Sequence, residues 1–166
     1  GFQEADPTRL REVVAAVAEQ TDVILLDSPA TLGSRSAVLP IVLADRVVVV
    51  IQPTIPAISD GLKVQEYATT YGTGVAGVLF NRVATDEDIG RINEKAEQYF
   101  EGEILANVPE SETVREARRA SEPLLAHAPD SAVATAYREA VCSLDVRDGP
   151  ESAVADRFRN AVIPEL

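Results

Sequence analysis

A chain of 166 residues, 46% hydrophobic and 25% charged, has the size and mixture of one globular domain and needs no disulfide or metal staple. Its formal charge of −12, with 13 arginines but only two lysines (Lys63 and Lys95), disfavours phosphate backbones and anionic lipids as non-specific partners. A single cysteine, Cys142, excludes an internal disulfide and a CxxC site, and a single histidine, His127, excludes a multi-histidine metal site within the chain.

The chain opens on Gly1 rather than Met, which points to processing or to a longer parent. The first ten residues are polar and acidic and do not read as a signal peptide. No apolar run approaches the roughly 18 residues of a membrane span, so the cytoplasm is the default location.

Asp6-Pro7 reads as an N-cap with proline at the first helical position, and Leu10, Val13, Val14 and Val17 recur at helical spacing up to about Gln20. Asp22-Val-Ile-Leu-Leu-Asp27 is a short apolar run that suits a strand buried on both faces. Ser28–Ser36 is a loop. Ala37–Leu43 predicts a short or kinked helix around Pro40. Arg46-Val-Val-Val-Val-Ile51 is the clearest strand, and its lack of alternation indicates a central parallel one.

Gln52–Pro56 then reads as a loop, and Val64, Tyr67, Ala68 and Tyr71 mark a helix starting near Ser59. Val75–Phe80 predicts a third strand. Thr85-Asp-Glu-Asp88 resembles a capping box ahead of the helical series Ile89, Ile92, Ala96 and Tyr99. Glu103–Val108 predicts a fourth strand. Val114, Ala117 and Ala120 suggest a short helix, and Val133, Tyr137, Val141 and Leu144 a longer one capped by Ser131. The alternation predicts an α/β fold, a parallel sheet with helices on both faces, over residues 1–148. Residues 149–166 form a tail, weakly amphipathic or disordered, whose polar face lacks the basic charge of a membrane anchor.

Ligands of open parallel sheets bind beyond the carboxyl ends of the strands. Those positions are Asp27–Gly33, Gln52–Thr54, Asn81-Arg82 and Pro109-Glu-Ser111. Asp27 after four apolar residues has the arrangement of a Walker B carboxylate, which holds Mg²⁺ or its water beside phosphates. Read alone the pattern is short, and a strand-ending Asp that caps the next turn stands ahead of it. Gly72-Thr-Gly-Val-Ala-Gly77 matches G-x-G-x-x-G, but a helix precedes it and a strand follows, so it reads as a turn.

Gly61-Leu-Lys63 lies in a helical stripe and cannot cradle phosphate, and no G-x-x-x-x-G-K-[ST] occurs. Ser28 lacks a nucleophile elbow and reads as a loop residue. Cys142 reads as a small packing residue. Arg115, Arg118 and Arg119 form the basic cluster, read as partners of Glu112, Glu116 and Glu122 on a solvated face.

Together these residues resemble the MinD/ParA family of deviant Walker A ATPases, from about Asp6 to Leu144. Asp22–Ala30 is similar to the family's Walker B strand and switch II. Ala44–Val50 is similar to its next strand, and Gly77-Val-Leu-Phe-Asn-Arg-Val83 to the strand ending at an adenine-side Asn. Val108-Pro-Glu110 resembles the turn that passes the base. Val114-Arg-Glu-Ala117, Glu122-Pro-Leu124, Pro129-Asp-Ser131 and Ala136-Tyr-Arg138 favour MinD over ParA, whereas Pro29-Ala-Thr-Leu-Gly33 is closer to the ParA form of switch II.

The resemblance implies ATP and Mg²⁺ as ligands of the complete parent. Asp27 would be near the metal, holding it through water. Ser28, Pro29, Ala30, Thr31, Leu32 and Gly33 would form switch II, and Asn81, Arg82, Pro109 and Glu110 would face the base. It implies an ATP-dependent homodimer that switches a function in cell division or intracellular positioning. A peripheral membrane role is weakly supported and DNA disfavoured; the rivals are a non-catalytic scaffold and a ParA-like DNA partition role.

The family's first strand, its Lys-bearing phosphate loop and its switch I Asp would precede Gly1, on the order of 60–100 residues by the size of such units. The chain alone is therefore expected to be inactive, and its sheet to have an unfinished edge. The acidic, arginine-rich composition is expected to reflect a high-salt cytoplasm.

Overall fold

The computed structural model describes residues 7–29, 35–84 and 89–144. The Thr85–Asp88 capping box, the tail and most of the switch II loop lie outside the described residues. The chain divides into two compact units. Among the described residues, one takes 7–29, 35–47 and 66–74, and the other takes 48–65 and 75–144.

In the first unit, α1 (Pro7–Ala18) and α2 (Arg35–Leu43) pack together. Only Val14 of the predicted α1 stripe is buried; Leu10 is half-buried, and Val13 and Val17 are exposed. The α2 helix keeps Pro40 inside it, and its residues from Ala37 to Leu43 are all buried. Thr73, the buried polar side chain of this unit, is satisfied by donating its hydroxyl to the Ile41 carbonyl at 2.8 Å.

The run Asp22–Asp27 departs from the sequence reading. It is irregular rather than a strand, with Ile24 and Leu26 half-buried, Val23 exposed and Leu25 91% exposed. The in–out alternation is that of an extended chain, but a strand also needs a neighbour to satisfy its N–H and C=O groups. Among the described residues no strand pairs with it, so the sheet has three strands rather than four.

The sheet order is β1 (Arg46–Ile51), β2 (Gly74–Val83), β3 (Glu103–Pro109). The crossovers are α3 (Ile55–Thr70) and α4 (Ile89–Tyr99). The α3 helix begins four residues before the expected start. Thr54 caps it, its carbonyl accepting from Ile58 N at 2.9 Å and its hydroxyl from Ala57 N at 3.4 Å. Gly72, at φ +73°, turns the chain out of α3, so the glycine-rich segment is a turn leading into β2.

The β2 and β3 strands run parallel, with Gly77 opposite Glu103 and Phe80 opposite Asn107. They approach closely at their start: a Cβ on Gly77 would lie 2.5 Å from the Glu103 carbonyl oxygen. The α5 (Glu112–Ala120), α6 (Leu124–His127) and α7 (Ala132–Ser143) helices follow. Ser131 caps α7 by accepting from Ala134 N at 3.2 Å, as its position predicts.

The main core of this unit joins Leu79, Leu105, Ala106 and Val108 to Val133, Ala136 and Ala140 of α7. The α7 helix thus buries a face of small residues, which lets it lie close to the sheet. Of the predicted stripe Val133 is buried and Tyr137 and Leu144 are partly so, but Val141 is 67% exposed. Cys142 is exposed as well, which corrects its reading as a packing residue.

Candidate functional site

The carboxyl ends of β2 and β3 bring two of the marked segments side by side. Between the pairs Phe80↔Asn107 and Val83↔Pro109, β2 carries one more residue than β3, a β-bulge formed at Asn81-Arg82. Arg82 takes a left-handed backbone, φ +58°. That conformation turns its side chain out of the pleat while Val83 returns to the buried face. Past β3, the amide of Glu110 donates to the Val83 carbonyl at 2.9 Å. The segment Pro109-Glu110 is thereby tied to the end of β2.

Charge reinforces this join. One carboxylate oxygen of Glu110 lies 3.6 Å from the Arg82 guanidinium and 3.4 Å from that of Arg115. Arg115 also meets Glu112 at 2.5 Å, and Glu112 meets Arg119 at 3.3 Å. Arg119 is 74% exposed and the other groups about half, so each pair contributes little alone, roughly 0–1 kcal/mol, but the chain of alternating charge orients the side chains. Ser111 caps α5, its hydroxyl accepting from Thr113 N at 3.2 Å.

Asn81 is half-buried at the bulge and offers an amide that can both donate and accept. Pro109, opposite Val83 two residues along β2, supplies a half-buried apolar ring, and Arg82 and Glu110 supply opposite charges 3.6 Å apart. An apolar surface with a few fixed polar groups suits a flat, heteroaromatic ring.

Asp27 and Ser28 belong to the other unit. Asp27 is exposed. The Ser28 hydroxyl donates to the Ala37 carbonyl at 2.9 Å, which ties the start of the loop to α2. Pro29 is exposed, and Ala30, Thr31, Leu32 and Gly33 lie outside the described residues. Among the described residues no group of three or more His, Cys, Asp and Glu side chains could hold a metal ion.

Sequence reasoning placed Arg115 on a solvated face, and it does pair with Glu112. It missed that Arg115 also reaches Glu110, five residues back across the helix cap. It missed Asn107 too, whose buried Oδ1 has no hydrogen-bond partner. An asparagine within an apolar strand was the available signal. Elsewhere, His127 Nδ1 lies 2.7 Å from a Glu122 carboxylate oxygen.

A family model described as 4Fe-4S iron sulfur cluster binding proteins, NifH/frxC family, matches residues 9–159. Two uncharacterized ATP-binding proteins of Methanocaldococcus jannaschii are similar to this chain. One is 33% identical over 144 residues, covering 86% of this chain and 53% of that protein. The other is 32% identical over 138 residues, covering 82% and 51%. The chain thus spans about half the length of the curated relatives it matches.

Among solved structures, the cell division ATPase MinD of Pyrococcus furiosus superposes with a TM-score of 0.73 at 28% identity, covering 84% of this chain and 58% of that one. The septum site-determining protein MinD of Pyrococcus horikoshii, complexed with Mg-ADP, gives 0.70 at 25% identity, covering 86% and 61%. A ParA family ATPase of Chlorobium tepidum gives 0.68 at 17% identity, which supports the fold alone.

Proposed function

Because the chain belongs to the NifH/frxC family and shares the MinD-type P-loop ATPase fold, we propose that it is the base-binding portion of an ATP-dependent switch protein. The observation that carries this reading is the join at the ends of β2 and β3, where Asn81-Arg82 meets Pro109-Glu110. In this reading the Asn81 amide reads the edge of adenine, Pro109 packs on its ring, and Arg82 and Glu110 close the rim. Asp27 holds Mg²⁺ through water, which one carboxylate beside phosphates is enough to do. Residues 28–33 would respond to the γ-phosphate. The relative solved with Mg-ADP supports this choice of ligands.

The residues fit the base better than the phosphates. The 166 residues contain no glycine-rich, lysine-bearing loop, so they lack the backbone cradle and cation that stabilise a transferring phosphoryl group. The chain by itself is therefore inactive in hydrolysis. The complete protein would supply the cradle, dimerise around ATP and act in cell division or intracellular positioning. The high negative charge fits work in a salt-rich cytoplasm. Among the described residues no helix is long and apolar enough to cross a membrane.

An iron–sulfur cluster, which the family model's description names, does not fit this chain. A [4Fe–4S] cluster takes four cysteine thiolates, and the sequence has Cys142 alone. A DNA-partition role is not favoured either, since Arg115 and Arg119 are both engaged by Glu112.

The test is a titration of the chain with adenosine, guanosine and Mg-ATP, followed by backbone NMR. Adenosine is expected to shift the amides of residues 81–83 and 109–111, guanosine to shift them less, and Asn81→Ala to weaken adenosine binding about tenfold. No adenosine response at these amides would sustain the scaffold reading instead. Mg-dependent ATP turnover by the chain that Asp27→Ala abolishes would overturn its inactivity.

A further inference from the structure

An asparagine stands in β3 where the strand calls for an apolar residue. Its neighbours Leu105, Ala106 and Val108 are buried in the core with α7, and Phe80, its partner across the β2–β3 pair, is 0% exposed. Yet the Oδ1 of Asn107 is buried and has no hydrogen-bond partner. A buried acceptor left unpaired costs stability, and an apolar side chain of similar shape would avoid that cost. Unpaired groups of this kind are exceptions in folded proteins, and a ligand that supplies the missing donor explains one.

The position of Asn107 narrows the ligand. From Ala106 onward β3 alternates: Ala106 and Val108 join the core with α7, so Asn107 and Pro109 lie on the opposite face. They are consecutive on that face, about 7 Å apart along the strand. A purine packed on the Pro109 ring spans that distance and brings an edge toward Asn107. Across the pair, Asn107 is opposite Phe80, and Asn81 follows directly. Asn93 also has a buried Oδ1 without a partner, but it belongs to the crossover helix α4 and to none of the strand ends that build the site.

We propose that Asn107 is a further specificity-determining residue of the base site, its Oδ1 accepting a hydrogen bond from the exocyclic amino group of a 6-aminopurine. This role rests on the base-binding reading and deepens it, because Asn81, Pro109 and the two rim charges include no buried group that separates an amino-bearing purine from others. A neutral acceptor does so. At the 6-position adenine presents N–H donors, unsubstituted purine only C–H, and hypoxanthine a carbonyl oxygen that another acceptor repels. The last torsion of an asparagine side chain is broad, so the amide can turn Oδ1 to the incoming edge. A ligand with the donor relieves a cost already present in the free chain, and a ligand without it leaves that cost in place.

The test uses the full 166-residue chain with adenosine, purine riboside and inosine, read by NMR of backbone and side-chain amides. Adenosine is expected to bind about tenfold more tightly than purine riboside, the worth of one such hydrogen bond, and inosine more weakly than adenosine. The side-chain NH2 signals of Asn107 are expected to move with adenosine and to stay with purine riboside. Asn107→Leu, similar in shape and unable to accept, is expected to bring adenosine and purine riboside within about twofold of each other and to raise the urea midpoint.

A role confined to structure would move the midpoint and leave the ratio of affinities unchanged, so an unchanged ratio in Asn107→Leu would overturn the proposal. Equal binding of adenosine and purine riboside by the unaltered chain would overturn it without any variant. Tighter binding of inosine than of adenosine would do the same, since that is the order a donating group produces. In these cases nucleosides still shift residues 81–83 and 109–111, and the base-binding reading stands. No shift there with any nucleoside removes that reading and the role of Asn107 with it.

Discussion

Arg82 holds a backbone conformation that costs a residue with a Cβ roughly 1–2 kcal/mol, at φ +58°. Such strain persists where the surroundings fix it, and here the bulge and the bond from Glu110 N to Val83 O do so. Arg82→Gly is therefore expected to raise stability by up to about 1 kcal/mol in urea unfolding, the gain being tempered by glycine's greater freedom when unfolded. Arg82→Val is expected to lower it, because a β-branched residue fits positive φ poorly. The opposite case is Gly77, where a new Cβ would meet the Glu103 carbonyl at 2.5 Å and Leu105 Cγ at 2.6 Å. The first of these is backbone and cannot swing away. Gly77→Ala is expected to cost about 1–3 kcal/mol, read by the same unfolding measurement. The site residues were not equally visible in the sequence. Asn81, Arg82 and Pro109 follow apolar runs and could be marked from that alone. The left-handed backbone of Arg82 could not, because arginine carries no preference for that region and only the two-strand register creates the demand.

The helices show which signals are local. Ser131 ahead of α7 and the charged surface of α5 were legible, because caps and solvated faces depend on residues a turn away. The end of α5 is a further local device. Ser121 is left-handed at φ +57°, and Glu122 N closes the last turn onto the Ala117 carbonyl at 3.0 Å. Ser121→Gly is expected to stabilise the chain by about 0.5–1 kcal/mol. Ser131→Ala is expected to destabilise it by about 0.5–2 kcal/mol. Both are read as shifts in the urea midpoint at constant slope. Where a helix or strand depends on distant partners, the sequence was less informative. The α7 periodicity admits two faces, and packing chose the one with alanines, which leaves Val141 exposed. Asp22–Asp27 has the composition of a buried strand, but a strand exists only in a ladder, and nothing within six residues encodes the neighbour.

For the whole molecule, the excess of 27 acids over 15 bases makes self-repulsion a property of the folded surface. At 0.1 M salt that repulsion reaches about 10 Å, and at 1 M about 3 Å. The urea midpoint is therefore expected to rise between 0.1 and 1 M KCl. An unchanged midpoint would count against a salt-adapted surface. The α/β class was legible at this scale because alternation of periods is a global pattern. The number of paired strands was not.

The core that joins β2 and β3 to α7 is drawn entirely from residues between Leu79 and Ala140. Its members come from elements about 25 residues or more apart along the chain, so forming it closes loops of tens of residues through parallel crossovers. Such non-local pairing forms more slowly than local helical contacts. On the ribosome, this region can condense as soon as α7 emerges, without waiting for any later residue.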